Sequence, residues 1–113
     1  MKVTDYHQIP LEVVDMDDTK NVKVRWLIDD RDKAEKFAMR FFEIEPGGFT
    51  PYHMHDWEHE MFVLEGEGEV KIDRTVYPIR KDIVIFIEPN QKHGFKNTGN
   101  SLLKFLCLIP YKK

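Results

Sequence analysis

His53-Met54-His55-Asp56-Trp57-Glu58-His59-Glu60-Met61-Phe62-Val63-Leu64 is the stretch on which the reading of this chain turns. It opens with two histidines two residues apart, adds a third, and runs into an apolar segment. In extended backbone, side chains two apart point the same way. His53 and His55 therefore share a face, and His59 joins them if the chain turns back after Asp56-Trp57-Glu58. A fourth histidine, His93, lies far along the chain after the turn residues Pro89-Asn90. A hairpin-rich barrel brings it beside the other three. Neutral imidazole is a good donor to manganese, iron, zinc, nickel or copper. It also needs no deprotonation at neutral pH before a metal enters. A lone His-x-His pair is common without a metal; four histidines in two short segments carry the metal reading. His7 stands apart and reads as an exposed terminal residue.

Outward from this stretch, the apolar residues alternate or cluster in short runs without a sustained helical period. Val22, Val24, Trp26 and Ile28 alternate with polar neighbours and predict a half-buried strand. Residues 29–36 are charged and predict a solvated turn, with one helical turn around Ala34 as an alternative. Residues 37–44 predict a second strand, ended by Pro46-Gly47-Gly48. Residues 61–64 follow, then Gly66-Glu67-Gly68 as a hairpin turn. Short strands are expected over 70–73 and 76–79, a strand buried on both faces over 83–87, and a last strand over 102–109 before the tail Tyr111-Lys112-Lys113. Many short strands separated by turn residues predict an all-β sandwich or barrel.

The chain has 113 residues, which fits a single domain spanning 1–113. The 17 Lys and Arg against 20 Asp and Glu give a net charge of -3, against a nucleic-acid or anionic-lipid partner. No apolar run approaches the ~20 residues of a membrane span. Met1-Lys2-Val3-Thr4-Asp5 lacks the basic-then-apolar pattern of a signal peptide. The lone Cys107 excludes an internal disulfide and suits a reducing compartment, so a cytoplasmic protein is expected. The acidic run at 15–18 lacks the ligand spacing of a calcium loop.

Gly47, the pair His53 and His55, then His59 or Glu60, then Gly66 resemble the first motif of the cupin superfamily. Asp82, Glu88, Asn90, His93 and Asn97 stand where its second motif has Gly, Pro, Gly, His and Asn. The resemblance covers residues 37–109 and implies a double-stranded β-helix, or jelly-roll barrel. The common pattern uses three histidines and a glutamate. Here His59 and Glu60 compete, and adjacent strand residues point to opposite faces. His59 shares parity with Met61 and Val63, and Glu60 with Phe62 and Leu64; both sets are apolar. The whole segment, with 87–95 and 105–110, is similar to small four-histidine cupins that hold manganese. That similarity implies His59 as the fourth ligand, with Glu60 as the alternative.

Four neutral donors leave the dipositive charge on the metal, and octahedral coordination leaves two positions open. An oxidoreductase of dioxygenase type, acting on a small organic substrate and favouring an anionic ligand, is the expected function. A non-catalytic binding or sensor cupin and a sugar-type isomerase or epimerase are the alternatives, since a fold hosts many functions. Arg40 either faces solvent or a subunit boundary, or turns into the barrel to fix an oxyanion. Phe105 and Cys107 either pack in the core or line the pocket, and Tyr52, Trp57 and Phe95 flank the ligands at its mouth. The apolar 83–87 strand needs cover on both faces, so a homodimer is expected, with N-terminal strands within 9–28 at the subunit interface.

Overall fold

Alternation governs the strand that carries the decisive segment. His59, Met61 and Val63 are buried in it, while Glu60 and Phe62 are exposed. The computed structural model describes residues 1–111, and the tail expected at Lys112 and Lys113 lies outside the described residues. The strands are β1 (Glu12–Val13), β2 (Lys20–Ile28), β3 (Phe37–Phe49), β4 (His59–Glu65), β5 (Glu67–Ile72), β6 (Thr75–Arg80), β7 (Val84–Ile87), β8 (His93–Lys96) and β9 (Leu103–Pro110). The described residues contain no α-helix, only single 3-10 turns at Tyr6–Gln8 and Asp30–Asp32. The second sits in the segment expected as a solvated turn and is capped by the buried Asp29.

All strand pairs are antiparallel, in the order β6-β5-β8-β3-β9-β4-β7, with β2 on β3 and β1 on β2. This is the curled, jelly-roll arrangement expected of the chain. β3 joins its two layers: it pairs with β2 and β9 over most of its length and with β8 at Phe49. Pro46-Gly47-Gly48 therefore does not end the strand. Gly47 adopts φ 80° and the β2 register slips there, so the segment is a bulge that bends β3 from one layer into the other.

The cross-strand register builds the interior in rows. Trp26, Arg40, Cys107, Met61 and Ile85 form one row across β2, β3, β9, β4 and β7. Val24, Phe42, Phe105 and Val63 form the next. Phe105 is 1% exposed and stacks on Phe42 at 5.3 Å and on Phe95 at 4.8 Å, which ties the two layers together. The expectation of a strand buried on both faces over 83–87 is corrected. Ile85 and Ile87 are buried, but Val84 and Phe86 project outward at 74% and 53% exposure.

Asn97, 1% exposed, closes the end of the barrel. Its amide donates to the carbonyls of Ile44 and Ser101 at 2.7 and 2.8 Å, and its side-chain oxygen accepts from Gly99 N–H at 2.8 Å. Gly66 is not the hairpin turn expected, because β4 and β5 do not pair with each other. It is a crossover between layers at φ 84°, pressed against the backbone of Leu102 and Leu103. A methyl group there would meet the Leu102 carbonyl, whereas one on Gly47 would meet nothing. Gly66→Ala should cost roughly 2–5 kcal/mol, combining left-handed strain with a backbone clash, and Gly47→Ala only about 1–2 kcal/mol of strain. Urea unfolding of the two variants checks this ordering; equal losses would remove the crossover argument.

Candidate metal and substrate site

His53 and His55 lie in the segment between β3 and β4, His59 opens β4 and His93 opens β8. Two main-chain hydrogen bonds bring the segments together. His53 N–H donates to the His93 carbonyl at 3.0 Å, and His93 N–H donates back at 2.7 Å. Asn90 N–H adds a bond to the His55 carbonyl at 2.7 Å. Asn90 does this at φ 68°, and Asp82 sits at φ 75°. Both stand where the resemblance expected glycine, and Asn and Asp tolerate this backbone best after glycine.

The result is a cluster of imidazoles. Ring nitrogens of His53, His55 and His93 lie within 4.8 Å of one another, so these three could hold a metal ion. His59 stands at their edge, its ring centroid 4.6 Å from that of His93 and 5.3 Å from that of His55. His59 and His93 are each 4% exposed. Pairing of His59 with Ile87 turns its side chain inward, and Glu60 on the other face is exposed. His93 Nδ1 lies 2.9 Å from the Gln91 carbonyl, which fixes the proton on Nδ1 and leaves Nε2 as the free donor. His59 Nδ1 is buried with no hydrogen-bond partner among the described residues. Such an atom is costly unless something binds it, and a divalent cation suits this all-nitrogen donor set.

The histidines line an open-mouthed cavity of about 300 Å³, whose wall also takes in residues of β2, β3, β9 and the β1 segment. Arg40, Cys107, Phe105 and Phe95 also line it. Arg40 thus takes the inward of its two alternatives: its Nη2 donates to Cys107 Sγ at 3.0 Å. Trp57 stacks flat on His55, with ring centroids 4.2 Å apart and 7° between planes, and so fixes that ring from behind. Tyr52 is not at the mouth. Its hydroxyl donates to the Asp73 carbonyl, and its ring lies under Lys71 and Lys92 on the outer surface. His7 is exposed beside Asp5, away from the cavity.

Trp26, Glu12 and Met16 also line the cavity and were not read as site residues from the sequence. The strand period did put Trp26 on one face with Val24, but no local signal says that this face looks into a cavity.

Residues 40–109 match the cupin domain family. The oxalate-binding protein of Thermotoga maritima is 35% identical over 78 residues, 68% of this chain and 63% of that protein. The 1-methylthio-D-xylulose 5-phosphate methylsulfurylase of Rhodospirillum rubrum is 28% identical over 71 residues, 63% of this chain and 46% of that protein. These matches thus span less than two-thirds of either relative's length. Among solved structures, the polyketide cyclase RemF of Streptomyces resistomycificus superposes with a TM-score of 0.93 at 32% identity, over 99% of this chain and 80% of that one.

Burial pushes all four histidines below their ordinary pKa, with neighbouring histidines and the Arg40 charge adding to it at His53, His55 and His59. His55 falls to about 4 and His59 to about 3. The cluster is therefore neutral at neutral pH. An unfolded histidine takes up its proton near pH 6.5, above the folded values. Between these values the unfolded chain holds more protons, so stability falls as pH falls. The metal-free protein should lose melting temperature steadily from about pH 6.5 to about pH 4.5, where most carboxylates remain ionised. His59→Gln should flatten that slope. A melting temperature that holds or rises on acidification would contradict the neutral cluster.

Proposed function

This chain belongs to the cupin family, and from that premise we propose a metal-dependent enzyme in which His53, His55, His59 and His93 hold one divalent ion. We assign its reaction to the oxidoreductases, of dioxygenase type, on a small organic substrate. One observation carries the reading: the four neutral imidazoles share one cavity, and Glu60, the competing carboxylate, is on the exposed face. Manganese is our assignment, taken from the similarity to four-histidine cupins, with iron, zinc, nickel or copper as alternatives. When bound, the ion supplies Lewis acidity undiminished by any carboxylate donor.

The chain's own residues do the remaining work. The Gln91 carbonyl and the Trp57 ring orient His93 and His55. Phe105, Phe95 and Met61 keep the cavity wall apolar, so charges inside it interact strongly. Cys107 is a buried thiol lining the same wall.

Likeness to the polyketide cyclase RemF along 99% of the chain favours a second reading, ring closure on a polyketide-like carbonyl compound without consumption of oxygen. Tight ligand binding without turnover would instead support a binding or sensor role. A sugar-type isomerase needs a base beside the substrate; Glu60 and Tyr52 face away from the cavity, which leaves Cys107 and the exposed Glu12 of β1 as candidates. A buried unpaired thiol supports a reducing, cytoplasmic location; no helix among the described residues is long and apolar enough to cross a membrane.

Elemental analysis of tag-free protein, followed by manganese titration read by electron paramagnetic resonance, tests the site. His59→Ala should weaken the metal by at least about 100-fold, and Glu60→Gln should leave it nearly unchanged. Protein that stays metal-free after soaking overturns the reading. Oxygen uptake across a substrate panel separates oxidation from ring closure, which consumes none.

We also propose a homodimer. Val84, Phe86 and Phe62 form an outward apolar face on β7 and β4, and the N-terminal strands border the same layer through β3. Sedimentation at micromolar concentration should give twice the chain mass, and Phe86→Lys should shift it toward one. A wild-type mass of one chain removes the claim.

A further inference from the structure

We propose that the cavity takes an organic carboxylate with a flat apolar body, its carboxylate seated on the Arg40 guanidinium and its body along the aromatic wall. The proposal rests on the reading of this cavity as the substrate site, and it locates the anion on the protein rather than on the metal.

Arg40 is wedged between Trp26 on β2 and Cys107 on β9. Its guanidinium carbon lies 5.5 Å from the Trp26 ring centroid and 4.9 Å from that of Phe42. Aromatic contact holds the group while leaving its in-plane N–H edges to seek acceptors. Those edges are poorly served. Nη2 donates to the Cys107 sulfur, a weak acceptor, and Nε is buried with no partner among the described residues. No ion pair to Arg40 exists among the described residues.

The charge is also uncompensated. A guanidinium cannot be deprotonated in a protein. Burial pushes the Cys107 thiol up, against the opposing pull of Arg40, so the sulfur carries no negative charge at neutral pH. Among the described residues Glu12 is the one carboxylate lining the cavity, and it is exposed to solvent on β1. A partly buried cation without a counter-ion is unfavourable, and an entering anion relieves that cost.

The shape names the class of anion. The guanidinium fork matches a carboxylate through two parallel hydrogen bonds. Next to it run Phe42, Phe105 and Phe95, which suit a flat apolar body and offer nothing to a small hydrophilic ion. The volume, about 300 Å³, is at the lower end for ligand sites and is enough to hold roughly one ring beside Arg40.

Calorimetric or NMR titration of the metal-free full chain with benzoate, benzamide, acetate and inorganic phosphate tests the proposal. Benzoate should bind at least about tenfold more tightly than benzamide, its neutral counterpart, and than acetate, which lacks the ring. Arg40→Gln should abolish the benzoate–benzamide difference, and Arg40→Lys should retain part of it. Equal binding of benzoate and benzamide by the wild type would overturn the carboxylate seat, and needs no variant. So would a preference that survives in folded Arg40→Gln. Acetate or phosphate binding as tightly as benzoate would overturn the apolar body. Manganese binding is read separately on the same proteins. Its failure in the wild type sinks the metal reading, while the metal-free titrations still decide the carboxylate seat.

Discussion

The reciprocal main-chain hydrogen bonds between His53 and His93 are the constraint on which the site depends. They join a segment leaving β3 to the first residue of β8, two parts of the chain that nothing local would bring together. Because the bonds run through backbone atoms, both imidazoles remain available for other work. Asn90 N–H on the His55 carbonyl repeats the device one step along. The cluster is thus assembled by sheet-like pairing, and its geometry is as stiff as the barrel itself.

That stiffness has an energetic counterpart. Four imidazoles and a guanidinium face one cavity, and two of their buried nitrogens, His59 Nδ1 and Arg40 Nε, lack a partner among the described residues. Such groups oppose folding, and the rest of the barrel has to outweigh them. It does so with a tightly packed remainder: Ile44, Val63, Ile87 and Leu103 are fully buried, and Asn97 has its amide hydrogen-bonded on both sides. Unpartnered nitrogens of His59 and Arg40 thus sit in the cavity wall, beside a core whose apolar residues are close-packed.

Much of this was legible from residue order alone. The two-residue spacing of His53 and His55, the β-branched runs and the turn residues sufficed for an all-β barrel with a histidine cluster. The choice between His59 and Glu60 was not legible, because Phe62 and Leu64 are as apolar as Met61 and Val63. Only the register of β4 against β7 and β9 separates the faces. Arg40 was ambiguous for a related reason: its orientation follows from a row of neighbours on four other strands. Glycine-containing segments misled in the opposite direction. Pro46-Gly47-Gly48 and Gly66 have turn chemistry, but the structure uses it to pass the chain between layers, which requires the same positive φ. Tyr52 lies next to His53 in sequence and on the other side of the wall in space, as strand alternation dictates.

The placement of the indoles has an optical consequence. The chain contains 2 tryptophans, and both belong to the site: Trp57 lies flat against His55, and Trp26 lines the cavity beneath Arg40. Intrinsic fluorescence from this protein therefore originates almost wholly within contact distance of its chemistry. Emission will respond to protonation of His55, to a paramagnetic ion or to an occupant of the cavity before it responds to anything elsewhere in the barrel. The molecule carries its own reporter, and a fluorimeter reads the site without a label.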